Sequence, residues 1–323
     1  MISYLSPTSI RLWRSNRDDF YRRYILPINH PNHLGYDVQN RAMAIGAGFD
    51  ALLKLKLSKN LFSEGKIGEE DRIDDNIFDN QVEPENRKWC LGEAEWLLGE
   101  YISLGAYQNL YNELLKDSEI RFEFKLEREC FGVLLSGRPD IRSLTKSGRF
   151  YVRDIKVNGY QSKTKISPTK GYVNLIGRKS GLGFNFGSYK DVFVKLIDDH
   201  PINYSMNLED VSEDWALQLV IYSWLNGAIR TLPIEGVAFQ PFLVGIEQIV
   251  GSKEFGIKVA THCYIVQLNY QRELVKEIIE IWERIKLGEI FDEDNKERKE
   301  LLEKVNKVEE SEIDFMTKFT RER

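Results

Sequence analysis

Two aspartates and a lysine, Asp140, Asp154 and Lys156, carry the clearest chemical signal in this sequence. Asp140 closes the segment Gly137-Arg138-Pro139-Asp140, and Asp154 opens Asp154-Ile155-Lys156 fourteen positions later. Between them run Ile141-Arg142-Ser143-Leu144, the turn signal Thr145-Lys146-Ser147-Gly148, and Arg149-Phe150-Tyr151-Val152-Arg153. Two strands joined by a short polar turn bring Asp140 and Asp154 together at a seat for a divalent cation. Side chains alternate along a strand, so Lys156 projects from the same face as Asp154. An acid pair with a lysine serves metal-assisted phosphodiester hydrolysis. A bare acid-x-lysine tripeptide says little. Glu64-x-Lys66, Glu123-x-Lys125, Asp294-x-Lys296 and Glu297-x-Lys299 also occur, and such a tripeptide alone reads as a strand or loop with charges in water. The strands on both sides and the upstream Pro-Asp set Asp154-Ile155-Lys156 apart.

The elements that must position these residues follow from periodicity. Residues 8–26 predict one helix, with Ile10, Trp13, Phe20, Tyr21 and Tyr24 at three- and four-residue steps. Its arginines, Arg11, Arg14, Arg17, Arg22 and Arg23, either contact phosphate or line a solvated face. Residues 39–57 predict a second helix, where Asp50 borders the apolar side formed by Ala42, Ile45, Phe49, Leu52 and Leu53. Residues 60–86 read as an acidic loop and 87–116 as helical. The alternation from Ile120 to Leu126 predicts a strand. Its polar side either offers one more carboxylate, Glu123 or Glu127, to a metal or is the sheet's wet face, the reading preferred for Glu123. Gly132 to Ser136 predicts another strand. Ser212 is the expected N-cap of a helix placing Gln218 and Tyr222, four apart, on one face. Strands are expected at 236–242 and 261–268, and an amphipathic helix from Gln271 to Leu287. The fold class is α/β, a mixed central sheet flanked by helices.

These residues, in this order, resemble the PD-(D/E)xK nuclease superfamily, its RecB-like and phage-exonuclease branches in particular. Leu5-Ser6-Pro7-Thr8-Ser9-Ile10 is similar to the family's opening segment, and Ile45 to Leu53 to its glycine-containing helix. Pro139-Asp140 with Asp154-x-Lys156 matches the core signature, and Gln218-Leu219-Val220-Ile221-Tyr222 the Q-x-x-x-Y helix that follows it. The likeness covers most of residues 1–290. It implies a restriction-endonuclease-like core over residues 1–291 with an N-terminal helical elaboration, then a charged helix or tail at 292–323. It implies a Mg²⁺- or Mn²⁺-dependent deoxyribonuclease, exonuclease rather than endonuclease, acting in DNA recombination or repair and known from phage. In that reading Asp140, Asp154 and the backbone carbonyl of Ile155 ligate the metal, Asp50 adds a ligand, Lys156 positions the attacking water, and Gln218 and Tyr222 orient Lys156 or a phosphate. The branch usually has a histidine where Asp50 stands; an aspartate still offers oxygen to a hard cation. A non-catalytic DNA-binding scaffold that kept the fold is the alternative.

Composition bounds the partners. Three scattered cysteines (Cys90, Cys130, Cys263) exclude a four-cysteine iron–sulfur cluster within one chain and fit a reducing cytoplasm. No apolar run reaches membrane-span length, so no membrane partner is expected. The net charge of −5 runs against DNA binding, but its distribution does not. From Ile155 to Lys190 there is no acid and a local charge of +7, so the remainder carries −12. Within that run Lys163, Lys165, Lys170, Tyr172, Arg178 and Lys179 are the expected nucleic-acid contacts; basic residues interleaved with aromatics suit DNA with single-stranded character. A homo-oligomer or a recombination-protein partner is compatible with the sequence but not specified by it.

Overall fold

The computed structural model describes residues 2–35, 37–157, 194–203, 207–232, 236–254 and 256–287. The basic run with Lys163, Lys165, Lys170, Tyr172, Arg178 and Lys179, and the charged segment 292–323, lie outside the described residues.

The N-terminal helical stretch is two helices, α1 (Pro7–Ser15) and α2 (Arg17–Tyr24), not the single one expected. Asn16 breaks it: extended at φ −158°, it ends α1 and caps α2 by accepting from the Asp19 amide at 3.2 Å. Ser6 and Ser9 form a reciprocal cap on α1, and Pro7 fills its first turn. Helix α3 (Arg41–Ser63) starts at the Asn40 cap and runs six residues past the expected end. The region expected as an acidic loop is largely ordered: a short 3₁₀ turn at Glu69–Asp71, α4 (Ile77–Gln81) and the start of α5 (Pro84–Ser103). A break at Gly105, which takes φ +77°, separates α5 from α6 (Ala106–Leu115).

The central sheet is mixed. Its strands are β1 (Ser118–Phe122), β4 (Ile141–Leu144), β5 (Phe150–Val157), β10 (Phe242–Ser252), β11 (Gly256–Tyr264), β7 (His200–Asn203) and β6 (Val194–Ile197), in that order across the sheet. The hairpin expected from the sequence is β4–β5: Ile141 faces Arg153, Leu144 faces Phe150, and the turn closes through Gly148 at φ +77°. β5 then pairs in parallel with β10, Phe150 to Val157 beside Phe242 to Ile249. β10 is buried along its whole length. The strand expected at 120–126 stops at Phe122; residues 126–130 instead form β2 (Leu126–Cys130), which pairs with β3 (Val133–Gly137) in a separate ribbon. Leu5 docks on that ribbon, its amide 2.9 Å from the Leu134 carbonyl. β8 (Ile229–Leu232) and β9 (Gly236–Phe239) make a second ribbon.

Helices cover both faces of the sheet. On one, Phe49, Leu53 and Leu57 of α3, Leu97 and Tyr101 of α5 and Leu110 of α6 pack on Ile141, Ile155, Ile249 and Val259. On the other, α1, α2, the short α7 (Leu208–Val211), α8 (Glu213–Ser223) and α9 (Leu268–Lys286) share a core with Val152, Val244, Ile246 and Ala260. Helix α9 starts at Leu268, where the sequence suggested a strand end, so β11 begins five residues earlier and ends four residues earlier than expected. Beneath β4–β5 lies a buried ionic cluster. Arg153 bonds Asp117 at 3.0 Å and Ser143 at 2.8 Å, and the His200 ring nitrogens face Glu113 and Asp117 at 2.5 and 2.7 Å. No helix among the described residues is long and apolar enough to cross a membrane.

Candidate active site

The ends of β4 and β5 meet α3 from one side and α8 from the other. Pro139 cannot donate a backbone hydrogen bond, and the chain passes from β3 into β4 there, setting Asp140 beside the next strand. Its Oδ2 accepts from the Ile155 amide at 2.7 Å. Asp154, on β5, is 2% exposed. Lys156 lies two residues along the same strand face, its Nζ 2.5 Å from Asp154 Oδ2. That contact is an ion pair without hydrogen-bond geometry, and Asp154 Oδ2 is otherwise unpartnered.

Helix α8 closes this side. The Gln218 amide nitrogen donates to Asp154 Oδ1 at 2.9 Å and to the Tyr222 hydroxyl at 3.1 Å, while its oxygen accepts from Lys156 at 2.9 Å. A single amide thus locks the acid and the lysine in register. Tyr222 packs over Gly137: a Cβ there would lie 2.6 Å from the ring. Ser212 occupies the N-cap position of α8 as expected, but its side chain makes no capping bond.

Helix α3 supplies the other side, and here the structure corrects the sequence reading. Asp50 does point to the site. So do two residues not assigned to it. Lys54, one turn beyond Asp50, is fully buried, and its Nζ bonds Asp50 at 2.6 Å, Asp140 at 2.8 Å and Glu123. Glu123, expected on the wet face of a strand, sits just past the end of β1 at φ +50°, which turns it inward to Lys54 and Gln81. Arg138, exposed, reaches Glu123 at 3.9 Å. The spacing of Asp50 and Lys54, i and i+4 on one helix, was a signal present in the sequence; nothing in its local pattern marked the positive φ of Glu123. Gly48 lets α3 approach α5 closely, since a Cβ there would stand 2.7 Å from Cys90 Sγ.

Burial and crowding of like charge raise two of the acids. Asp154 is pushed up to about 7, first by desolvation and then by the charge of Asp140. Asp50 is raised well above the usual carboxylate range, by desolvation first and by Asp140 and Glu123, against the pull of Lys54. Asp140 goes the other way: burial would raise it, but Lys54, Lys156 and the Ile155 amide outweigh that and hold it ionised. Burial would likewise lower both lysines; their acidic neighbours prevail and keep each an ammonium.

Among the described residues, Asp50, Glu123 and Asp140 each offer a carboxylate oxygen within 4.8 Å of the others, a spacing that can hold a metal ion. Asp50 Oδ1 is buried and without a hydrogen-bond partner. An orphaned acid oxygen in such a cluster is costly unless a cation meets it. Asp50, Glu123, Asp140 and Asp154 stand against Lys54 and Lys156. When all are ionised, two net negative charges remain, the charge one divalent cation cancels. The donor set, oxygen throughout, fits a hard ion such as Mg²⁺ or Mn²⁺.

The arginines of the first two helices are largely committed elsewhere: Arg14 to Glu213 and Glu277, Arg23 to Asp37. Arg11 lies close enough to Lys156 for its charge to act there.

No family model matches the chain, and no curated protein matches it. Several solved structures share a distant likeness. A proposed exonuclease from Eubacterium rectale is 13% identical at a TM-score of 0.42, over 89% of this chain and 82% of that one. The protein VC1899 of Vibrio cholerae is 10% identical at a TM-score of 0.16, over 50% and 42%. Neither is close enough to bear on function.

Proposed function

We propose that this chain is a metal-dependent deoxyribonuclease of the PD-(D/E)xK type, with exonuclease action in recombination or repair as its role. The observation that carries the reading is the linked set Asp140–Asp154–Lys156–Gln218, with its net negative charge, where α3 and α8 meet the β4–β5 hairpin. Asp140, Asp154, the Ile155 carbonyl and Asp50 would hold one Mg²⁺ or Mn²⁺, with Glu123 bordering the seat. When bound, the ion supplies Lewis-acid polarisation of a phosphate oxygen and acidifies a water.

The chain's own groups do the rest. Lys156, kept cationic by Asp154 and Asp140, is available to donate to the attacking water and to a phosphate oxygen as negative charge builds there. Because it stays protonated, it stabilises charge and does not act as a base. Gln218 fixes its direction, and Tyr222 fixes Gln218. Arg11 and the basic run after Lys156 would bind the DNA backbone. The unit spans residues 1–291 in this reading, and its buried free cysteines suit a reducing cytoplasm.

The test is cleavage of 5′- and 3′-end-labelled linear DNA and of a closed circle, in Mg²⁺, Mn²⁺ or EDTA, beside Asp154→Ala. Metal-dependent loss of the linear substrate alone, absent in the variant, is expected. Cutting of the circle would make the enzyme an endonuclease. DNA binding without cleavage under either metal would overturn the catalytic reading in favour of a scaffold, which the lysine inside the acid cluster gives a specific basis.

A further inference from the structure

Lys54 is an unusual neighbour for a metal seat. An ammonium has three donors, and all three are spent on Asp50, Glu123 and Asp140, the same carboxylates whose spacing suits a metal ion. The side chain has no exposed surface. Its neighbours along α3, Leu53 and Leu57, are core residues, so the stem has no solvent path along which to withdraw. The centre of a cation-spaced group is therefore filled by the protein's own cation.

Charge and free acceptors point the same way. When all four acids are ionised, Lys54 and Lys156 leave two uncompensated charges; one divalent ion neutralises them and a second would reverse the sign. Only two buried acid oxygens of the site lack a hydrogen bond among the described residues, Asp50 Oδ1 and Asp154 Oδ2, and the second already lies 2.5 Å from Lys156 Nζ, so few acceptors remain for a second ion.

We propose that Lys54 is a resident cation standing where a second divalent ion would otherwise sit, so that this site takes one metal ion per chain. The inference rests on the metal-site reading above. It makes Lys54 a positioning residue: it gathers Asp50, Glu123 and Asp140 before any metal arrives and limits how many ions they accept.

The experiment counts ions. The full chain is titrated with Mn²⁺, free ion being followed by electron paramagnetic resonance and bound ion by elemental analysis after desalting. Wild type, Asp154→Ala, Lys54→Met and Lys54→Gln are compared, with the fold checked by circular dichroism. Lys54→Gln keeps two donors for the acids and guards against a Lys54→Met protein that fails to fold. Wild type should bind one Mn²⁺, Asp154→Ala should lose it, and the Lys54 variants should bind two. In EDTA the variants should melt several degrees below wild type and recover more than wild type does in millimolar Mn²⁺, a response that loss of a merely structural lysine would not produce. Two ions in wild type, or one in a folded Lys54 variant, would overturn the proposal and leave the metal-site reading standing. No ion bound by wild type would overturn both.

Discussion

Gly137→Ala tests whether the site is held by packing as well as by charge. A Cβ at Gly137 would lie 2.6 and 2.8 Å from two Tyr222 ring carbons and 3.0 Å from Leu225 Cδ1. Carbon atoms prefer about 3.5–4.0 Å, so the new methyl overlaps the ring by roughly 1 Å. Tyr222 has little room to yield. It is buried, its hydroxyl accepts from Gln218, and its carbonyl accepts from Asn226 at 2.7 Å. Overpacking of this kind costs about 1–3 kcal/mol. With roughly 2–4 °C of Tm per kcal/mol in larger domains, a drop of several degrees is expected. A displaced Tyr222 also loosens Gln218 and through it Asp154 and Lys156, so cleavage should slow by about 10–100-fold, as when a ligand's supporting partner is lost. Thermal melts and single-turnover cleavage measure both. Repeating Gly137→Ala in a Tyr222→Ala background should remove most of the stability cost, since the clash partner is gone. An unchanged Tm in the single variant, or an equal cost in both backgrounds, would refute the packing argument.

Gln218→Ala removes the amide that joins Asp154, Lys156 and Tyr222; we expect kcat to fall about 10–100-fold with Tm nearly unchanged, and unaltered rates would show that Lys156 needs no such brace. His200 faces Glu113 and Asp117, with Arg153, Lys116, Asp198 and Asp199 nearby. Burial would lower its pKa, but the two carboxylates prevail and raise it. Its contribution to stability is therefore complete below its ordinary pKa of 6.5 and is lost as pH rises through the higher folded value. Glu113 and Asp117, both lowered, act oppositely and lose their share only in acid. Asp154 and Glu247, each pushed up to about 7 by burial, also weaken the fold as pH rises, so a comparison with His200→Asn isolates the histidine. Urea melts should show His200→Asn costing about 3 kcal/mol near pH 6 and less near pH 9; a pH-independent gap would contradict an imidazolium at this position.

The sequence was most readable where the signal was local. The β4–β5 hairpin announces itself through alternation and a polar turn ending in Gly148, and Gln218 and Tyr222 through their helical spacing. β10 was not legible beyond its first residue, because a central strand covered by helices on both faces shows no period of two. Helix splitting at Asn16 was a competition between continuous apolar spacing and a side chain suited to capping, and the cap won. Asp50 was found by helical position, whereas Lys54 looked like any lysine on a long helix. Glu123 followed the alternation of its strand on paper, but the chain leaves that strand one residue earlier. Both omissions depend on contacts between residues 69 and 86 positions apart, which no local pattern encodes.

The mix of near and distant pairings also sets an order of assembly. The β4–β5 hairpin spans a short turn and can form in about 1–10 μs. Its parallel neighbour joins Phe150 to Phe242 and must await closure of a long stretch of chain, a slow kind of contact. Asp140 and Asp154 therefore meet early in folding; of the cations on that hairpin Lys156 pairs with Asp154 while Arg142, Lys146, Arg149 and Arg153 pair elsewhere, and Lys54 arrives later on α3. During that interval the acids are short of positive charge. Any cation that tides them over, whether salt or divalent metal, should hasten the docking of α3, so that a metal bound at the proposed site would speed the maturation of a new chain as well as the work of a finished one.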